Sequence, residues 1–256
     1  MIKRIGIIGV GHFAGYLIEG FHNSNCDVDI LLSPRGKAEA ERWSLKYGYS
    51  IAKDNQDVID QSDIIILSVK PNVMDKILKP LKFREGQLAI SVAAGAKYNN
   101  LSIQIRPAQV VCTMPLSSAA INQSPTLLYP AHGRAIEILE LLGPVMVFND
   151  EEKFITATTY SAFYGWSFKF LEELVSWGTD RGLDDATCRS LIQNMFKATS
   201  EMSALEAEKP LSEIVESLAT EGGITELGLN IFDKKAGFDV WHEALDGVHK
   251  KLSGEN

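Results

Sequence analysis

The chain has 256 residues, 45% hydrophobic and 23% charged, with a formal net charge of -8; this length and apolar content build one large domain or two smaller ones and exclude a disordered or fibrous chain. The acidic balance argues against wrapping nucleic acid or lying on an anionic membrane, which leaves small-molecule chemistry as the leading class. Cys26, Cys112 and Cys188 are too scattered for a disulfide framework or a metal site and read as buried thiols, and with no signal peptide or membrane-length apolar run a cytoplasmic protein is expected.

Up to about residue 150, short β-branched runs alternate with amphipathic stretches. Strands are predicted at Lys3 to Ile8, Val28 to Leu32, Ile64 to Val69, Leu88 to Val92, Val110 to Thr113, Thr126 to Tyr129 and Val145 to Phe148. Helices are predicted between them at Phe13 to Asn23, Lys37 to Tyr47, Val73 to Leu78 and His132 to Leu142. Runs such as DIIILSV are apolar at consecutive positions, as expected of strands covered on both faces. The alternation predicts an α/β fold, a Rossmann-type doubly wound parallel sheet over residues 1–150. From residue 151 to 256 no strand pattern appears, and helices are predicted at Glu152 to Arg181, Asp184 to Glu208, Leu211 to Leu218, Thr225 to Lys235 and Val240 to Leu252. The first of these carries Phe163, Tyr164, Trp166, Phe168, Phe170 and Trp177, more aromatic surface than a small domain buries alone. An all-helical domain that completes its core with a second copy of the chain follows.

The stretch GIIGVGHFAG places Gly9-Val10-Gly11-His12-Phe13-Ala14 between the first strand and the first helix. That is the context a dinucleotide fingerprint requires. Gly9 permits the tight turn, Gly11 lets the backbone approach a pyrophosphate, and Ala14 lets helix and strand pack closely. The helix N-terminus supplies free N–H groups to the phosphates. At the end of the second strand, where NAD-preferring sites place an acid, the chain reads Ser33-Pro34-Arg35. A hydroxyl and a guanidinium there suit the 2′-phosphate of NADPH, with Lys37 as a candidate to assist; the alternative is an ordinary solvated basic loop.

GVGHFA, SPR, Asp54-Asn55, SVKP at Ser68 to Pro71, SVAAG at Ser91 to Gly95, EKPLSEIVES at Glu208 to Ser217 and EGGIT at Glu221 to Thr225 occur in this order. In these motifs the chain resembles the pyrroline-5-carboxylate reductase family over essentially its whole length. The resemblance implies that Gly9, Gly11, His12, Phe13 and Ala14 line the pyrophosphate and that Ser33 and Arg35 hold the 2′-phosphate. It places Asn55 near the adenosine ribose, Val69, Lys70 and Pro71 along the cofactor, and Ala93, Ala94 and Gly95 near the nicotinamide. The family reaction is hydride transfer from NADPH to the C=N carbon of a cyclic imine carboxylate, giving proline. The substrate would lie near Met114, Pro115, Glu221, Gly222 and Gly223, the glycine N–H groups being suited to its carboxylate. Thr225 would hydrogen-bond the imine nitrogen, unless it is only a helix-start residue. The resemblance also implies a homodimer, or a larger assembly of copies, formed through the helical domain.

Three departures fall on the substrate side. Leu116 stands where the family carries an amide, Ala162 to Trp166 replaces small residues with aromatic ones, and Glu221 replaces a proline. Facing inward, Glu221 would repel a carboxylate and attract an iminium; facing solvent, it is a favourable helix N-terminal charge. A paralogue reducing another imine or a keto acid, and an NADP(H)-binding regulatory protein without turnover, are the alternatives these departures raise.

Overall fold

The computed structural model describes residues 4–25 and 28–254; the expectation for Cys26 lies outside the described residues. Its sheet is built from β1 (Arg4–Ile8), β2 (Asp29–Leu32), β3 (Ser50–Ile51), β4 (Ile64–Leu67), β5 (Leu88–Ser91), β6 (Gln109–Met114), β7 (Thr126–Tyr129) and β8 (Val145–Val147). They lie in the order β3-β2-β1-β4-β5-β6-β7-β8. The helices among them are α1 (His12–Asn23), α2 (Lys37–Tyr47), α3 (Asn55–Asp60), α4 (Pro71–Leu78), α5 (Tyr98–Gln104) and α6 (Gly133–Leu139).

Consecutive strand residues feed two different cores. Ile5, Ile7, Ile64, Ile66, Leu88 and Ile90 join one buried cluster with α1 and α2, while Ile8, Ile65, Leu67 and Ala89 join another with α3 and α4. Side chains alternate across a strand, so an unbroken apolar run is what a sheet with helices on both faces needs. Chain order reverses at β1, which pairs in parallel with both β2 and β4. The carboxyl ends of β1 and β4 thus flank the topological switch point, the place where open α/β sheets bind ligands.

The sheet is not parallel throughout. β7 pairs antiparallel with β6, and β8 runs parallel to β7, so the last two strands oppose the other six. Between β6 and β7 the chain makes only a 3-10 turn at Ser117–Ile121, with no crossover helix to carry it back to the opposite end. The loop closes at Asn122, whose φ of 56° is left-handed and whose amide donates to the Gly20 and Leu141 carbonyls at 2.8 and 2.5 Å.

The next helices are α7 (Glu151–Thr159), α8 (Ser161–Thr179), α9 (Asp185–Leu205), α10 (Leu211–Leu218), α11 (Ile224–Lys234) and α12 (Asp239–Ser253); among the described residues no strand follows β8. The single helix predicted from Glu152 to Arg181 is broken at Tyr160. Just before the break the hydroxyls of Thr156, Thr158 and Thr159 donate to carbonyls four residues back, which competes with a regular helix. The compact units also do not divide at residue 150. One comprises residues up to Ser161 and from His249 onward, and the other Ala162–Val248. The first holds α7 because Phe154 is buried in the second sheet cluster and stacks on Tyr129 at 5.9 Å.

The second unit buries few side chains of its own. No residue of α10 or α11 is buried, and α9 buries only Cys188. Phe163, Trp166 and Phe170 pack around Trp241 at 5.8, 6.1 and 6.4 Å, so part of the aromatic set predicted for a subunit contact is used within the chain. Trp177, Leu205 and Leu211 remain 60%, 78% and 65% exposed.

Candidate functional site

The glycine turn has the shape that its spacing predicts. Gly9 adopts φ +93°, and a Cβ on it would overlap Val69 Cγ1 and lie 2.5 Å from the Ser68 carbonyl, so the turn lies directly on the chain leaving β4. Gly11 is the N-cap of α1, with φ -109° and no side-chain cap, and nothing lies within 4 Å of where its Cβ would be. The first turn of α1 therefore presents uncapped N–H groups over an open, side-chain-free surface, which fits a pyrophosphate. His12 is exposed at the start of the same helix, its Nε2 2.9 Å from the Tyr16 hydroxyl. Phe13 and Ala14 face the core instead: Ala14 is fully buried and Phe13 packs against the first cluster. Ala14 is placed for close helix–strand packing.

Ser33 also differs from its expected role. It is completely buried, and its Oγ accepts the Gly9 N–H at 3.0 Å while its own N–H donates to the Ile7 carbonyl at 2.9 Å. The enclosed hydroxyl braces the glycine turn. Arg35, by contrast, is exposed and lines an open concavity with Lys53, Asn55 and Lys76. Lys37 turns toward Glu41 on its own helix at 3.8 Å. Asn55 sits in the first turn of α3, which Asp54 caps by accepting the Asp57 N–H at 2.8 Å. Gly36 was not singled out in the sequence, although it stands next to Arg35. Its φ is +90°, and a Cβ there would lie 2.6 Å from the Val10 carbonyl, so it holds the Arg35 loop close against the glycine turn.

Val69, Lys70 and Pro71 follow β4, with Lys70 as the N-cap of α4 and Pro71 as its first residue. Ala93, Ala94 and Gly95 follow β5, Gly95 with φ +78°. With Met114 they line a small pocket that Cys112, Phe154 and Leu252 help to close. Pro115 is buried. The Cys112 thiol is pushed up to about 12 by burial and by the nearby negative charge of Glu151, so it is an inert wall of the pocket.

The loop before α11 is already hydrogen-bonded. The Gly222 N–H donates to Glu226 Oε2 and the Gly223 N–H to the Thr220 carbonyl, both at 2.8 Å. The two glycine N–H groups expected to hold a carboxylate are thus taken by the chain itself. Gly223 is the N-cap of α11, and Glu226 reaches back over the helix start in the manner of a capping box. Glu226 was missed in the sequence; its signal was an acid three residues beyond the N-cap. Glu221 and Thr225 are both exposed.

Among the described residues no helix is long and apolar enough to cross a membrane. Two family models match the chain: "NADP oxidoreductase coenzyme F420-dependent" over residues 4–95 and "Pyrroline-5-carboxylate reductase dimerisation" over residues 151–254. The pyrroline-5-carboxylate reductase of Vibrio alginolyticus is 25% identical, with 96% of this chain and 95% of that one covered. The crystal structure of the Streptococcus pyogenes 1-pyrroline-5-carboxylate reductase superposes with a TM-score of 0.88 at 25% identity, covering 98% of each chain. The NADP-bound Plasmodium falciparum pyrroline carboxylate reductase shares the fold, with a TM-score of 0.87 at 20% identity over 99% of this chain and 97% of that one. With matching models at both ends, relatives spanning its length and an uncapped glycine turn at the switch point, the chain belongs to the pyrroline-5-carboxylate reductase family, and with it to the NADP-dependent oxidoreductases that act on a C=N bond.

Proposed function

We propose that the chain is a cytoplasmic homodimer that reduces a cyclic imine of the pyrroline-5-carboxylate type with NADPH. The observation that carries the reading is the open N-terminus of α1, where Gly11 leaves free space and no side chain caps the N–H groups. Those N–H groups would hold the pyrophosphate, Gly9 and Val69 would shape the turn beneath it, and Arg35 would meet the 2′-phosphate. The bound nicotinamide supplies the hydride. The chain's own work is then to position and to exclude water. Ala93, Ala94 and Gly95 keep the surface beside the nicotinamide free of bulk, and Met114 gives it an apolar wall. Thr225, whose hydroxyl has no partner among the described residues, would hydrogen-bond the imine nitrogen and later the amine.

A second reading, a paralogue acting on a different imine, is favoured by the Gly222–Glu226 hydrogen bond, because it places a carboxylate where the substrate's own was expected. The test is loss of NADPH absorbance with pyrroline-5-carboxylate, with cyclic imines lacking a carboxylate, and with 2-keto acids. Turnover with pyrroline-5-carboxylate supports the first reading. Turnover only with another imine or a keto acid replaces it by the second, and tight NADPH binding without any turnover leaves a binding protein.

A further inference from the structure

Resting on the NADPH reading, we propose that Lys53 and Lys76 are specificity-determining residues that seat the cofactor's 2′-phosphate together with Arg35. Neither lysine belongs to a motif singled out in the sequence. The open concavity beyond β2 brings together Arg35 from the β2–α2 loop, Lys53 from the turn before α3 and Lys76 from the last turn of α4, around Asn55. Three segments far apart in sequence thus converge cations on one exposed site. None of the three has an ion-pair partner among the described residues.

Of the side chains that the β2 end and the loop after it offer a phosphate, Arg35 lines the concavity while Ser33 and Lys37 do not. Ser33 is enclosed and spent on Gly9, and Lys37 is turned to Glu41. The nearby acids already accept hydrogen bonds from other groups. Asp54 accepts the Asp57 N–H, Asp57 accepts the Lys53 backbone N–H at 3.0 Å and the Gln61 amide at 2.8 Å, and Asp75 accepts from Gln104 at 2.8 Å. The Asp57 charge lies close enough to Lys53 for the lysine to lower its pKa. It partly offsets that lysine but does not bind its ammonium.

A phosphate dianion matches this arrangement better than a ribose hydroxyl does. Lysine is a mobile point charge whose donors rotate to meet phosphate oxygens, while the planar Arg35 guanidinium can bind two of them at once. A ribose 2′-hydroxyl carries no charge for the lysines to answer. Because the site is open to water and salt, each lysine contributes modestly. The preference for NADPH over NADH is then a sum over the cluster and does not hang on Arg35 alone.

The experiment titrates NADPH and NADH against the full-length protein by nicotinamide fluorescence, for the wild type, Lys53→Ala, Lys76→Ala, the double variant, and Lys37→Ala as a control on the same surface. All three lysine side chains are exposed, so the variants are expected to fold, which a thermal melt verifies. Each single change at 53 or 76 should weaken NADPH about 3- to 10-fold and the double variant about 10- to 100-fold. NADH should stay within about twofold, and Lys37→Ala should match the wild type. Lowering the salt should sharpen the wild-type preference more than that of the double variant. A preference for NADPH that survives both lysine changes, or a loss equal for the two cofactors, overturns the lysine assignment and leaves the NADPH reading standing. A wild type that binds NADH as tightly as NADPH overturns both.

Discussion

Gly9 and Gly11 are two residues apart in one motif, yet their surroundings predict opposite kinds of damage on conversion to alanine. At Gly9 the backbone holds φ +93°, a region that costs an L-residue about 1–2 kcal/mol. The new methyl would also be driven into Val69 Cγ1 and to 2.5 Å from the Ser68 carbonyl, an overpacking cost of about 1–3 kcal/mol. Gly9→Ala should therefore lose about 2–5 kcal/mol, a fall in Tm of roughly 4–20 °C for a unit of this size. Gly11 has an ordinary φ of -109° and empty space around its Cβ position. Gly11→Ala should keep its stability within about 1 kcal/mol, the scale of an N-cap substitution. Its methyl would instead stand over the N–H groups of α1 and weaken NADPH tenfold or more, about 1.4 kcal/mol. Thermal melts of the free protein and NADPH titration of both variants decide the matter. A Gly11→Ala protein that melts as early as Gly9→Ala and still binds NADPH normally would refute the assignment of one glycine to the fold and the other to the ligand.

Ser33→Ala removes the acceptor of a part-buried Gly9 N–H and should destabilise by about 1–3 kcal/mol in a denaturant melt. It should leave the ratio of NADPH to NADH affinity unchanged, and a collapse of that ratio would return Ser33 to the phosphate. Glu226→Gln keeps a side chain that can reach the Gly222 N–H but removes its charge. Steady-state kinetics should show kcat/KM for a carboxylated imine rising about tenfold relative to an uncharged one, the scale of one charge removed near a surface; no change in that ratio would place Glu226 away from the substrate. Burial, aided by the Arg134 charge, holds His132 below the usual imidazole range. The folded chain keeps it neutral while the unfolded chain protonates near pH 6.5, so its contribution is complete above about pH 6.5 and is lost as the pH falls. Denaturant melts across that range should show a shallower loss for His132→Gln than for the wild type, and parallel curves would contradict this.

The sheet was legible where local chemistry agrees with topology. Ile5 to Ile8 and Ile64 to Leu67 are apolar at every position because each has a core on either side, and that pattern is visible without knowing the partner strand. Ser50–Ile51 was not legible, since two exposed residues at the sheet edge leave no periodicity to detect. The reversed direction of β7 depends on what the 3-10 turn at Ser117–Ile121 does to the path of the chain, which no residue type encodes. The same division runs through the site. Gly9 and Gly11 announce themselves because backbone demands restrict residue choice. The lysines at 53 and 76 look like any solvated lysine until three segments bring them beside Arg35. Ser33 conceals its hydrogen bond for a related reason: a serine at a strand end reads the same whether its hydroxyl faces a ligand or the N–H of a neighbouring turn.

The apolar stripes of the second unit carry the argument from fold to assembly. Leu211, Val215 and Leu218 share one face of α10, and Ile224, Leu227 and Ile231 share one face of α11, with every one of the six at least 46% exposed. Covering such a side chain fully is worth about 1.5–3 kcal/mol, so a chain that left both stripes in water would forgo a large part of a domain's usual net stability. The dimerisation model spans these helices, and a second copy of the chain is the partner that offers the same stripes in return. Stability of this unit is then inseparable from subunit concentration. Ile224, 91% exposed, is the residue immediately before Thr225, so the start of the helix proposed to meet the imine is part of the surface that association must cover. The glycine turn needs no such help, because its bracing by Ser33, Val69 and Val10 is contained in the first unit. Cofactor binding should therefore persist at dilutions where subunits separate, while turnover is lost with the association that covers the start of α11.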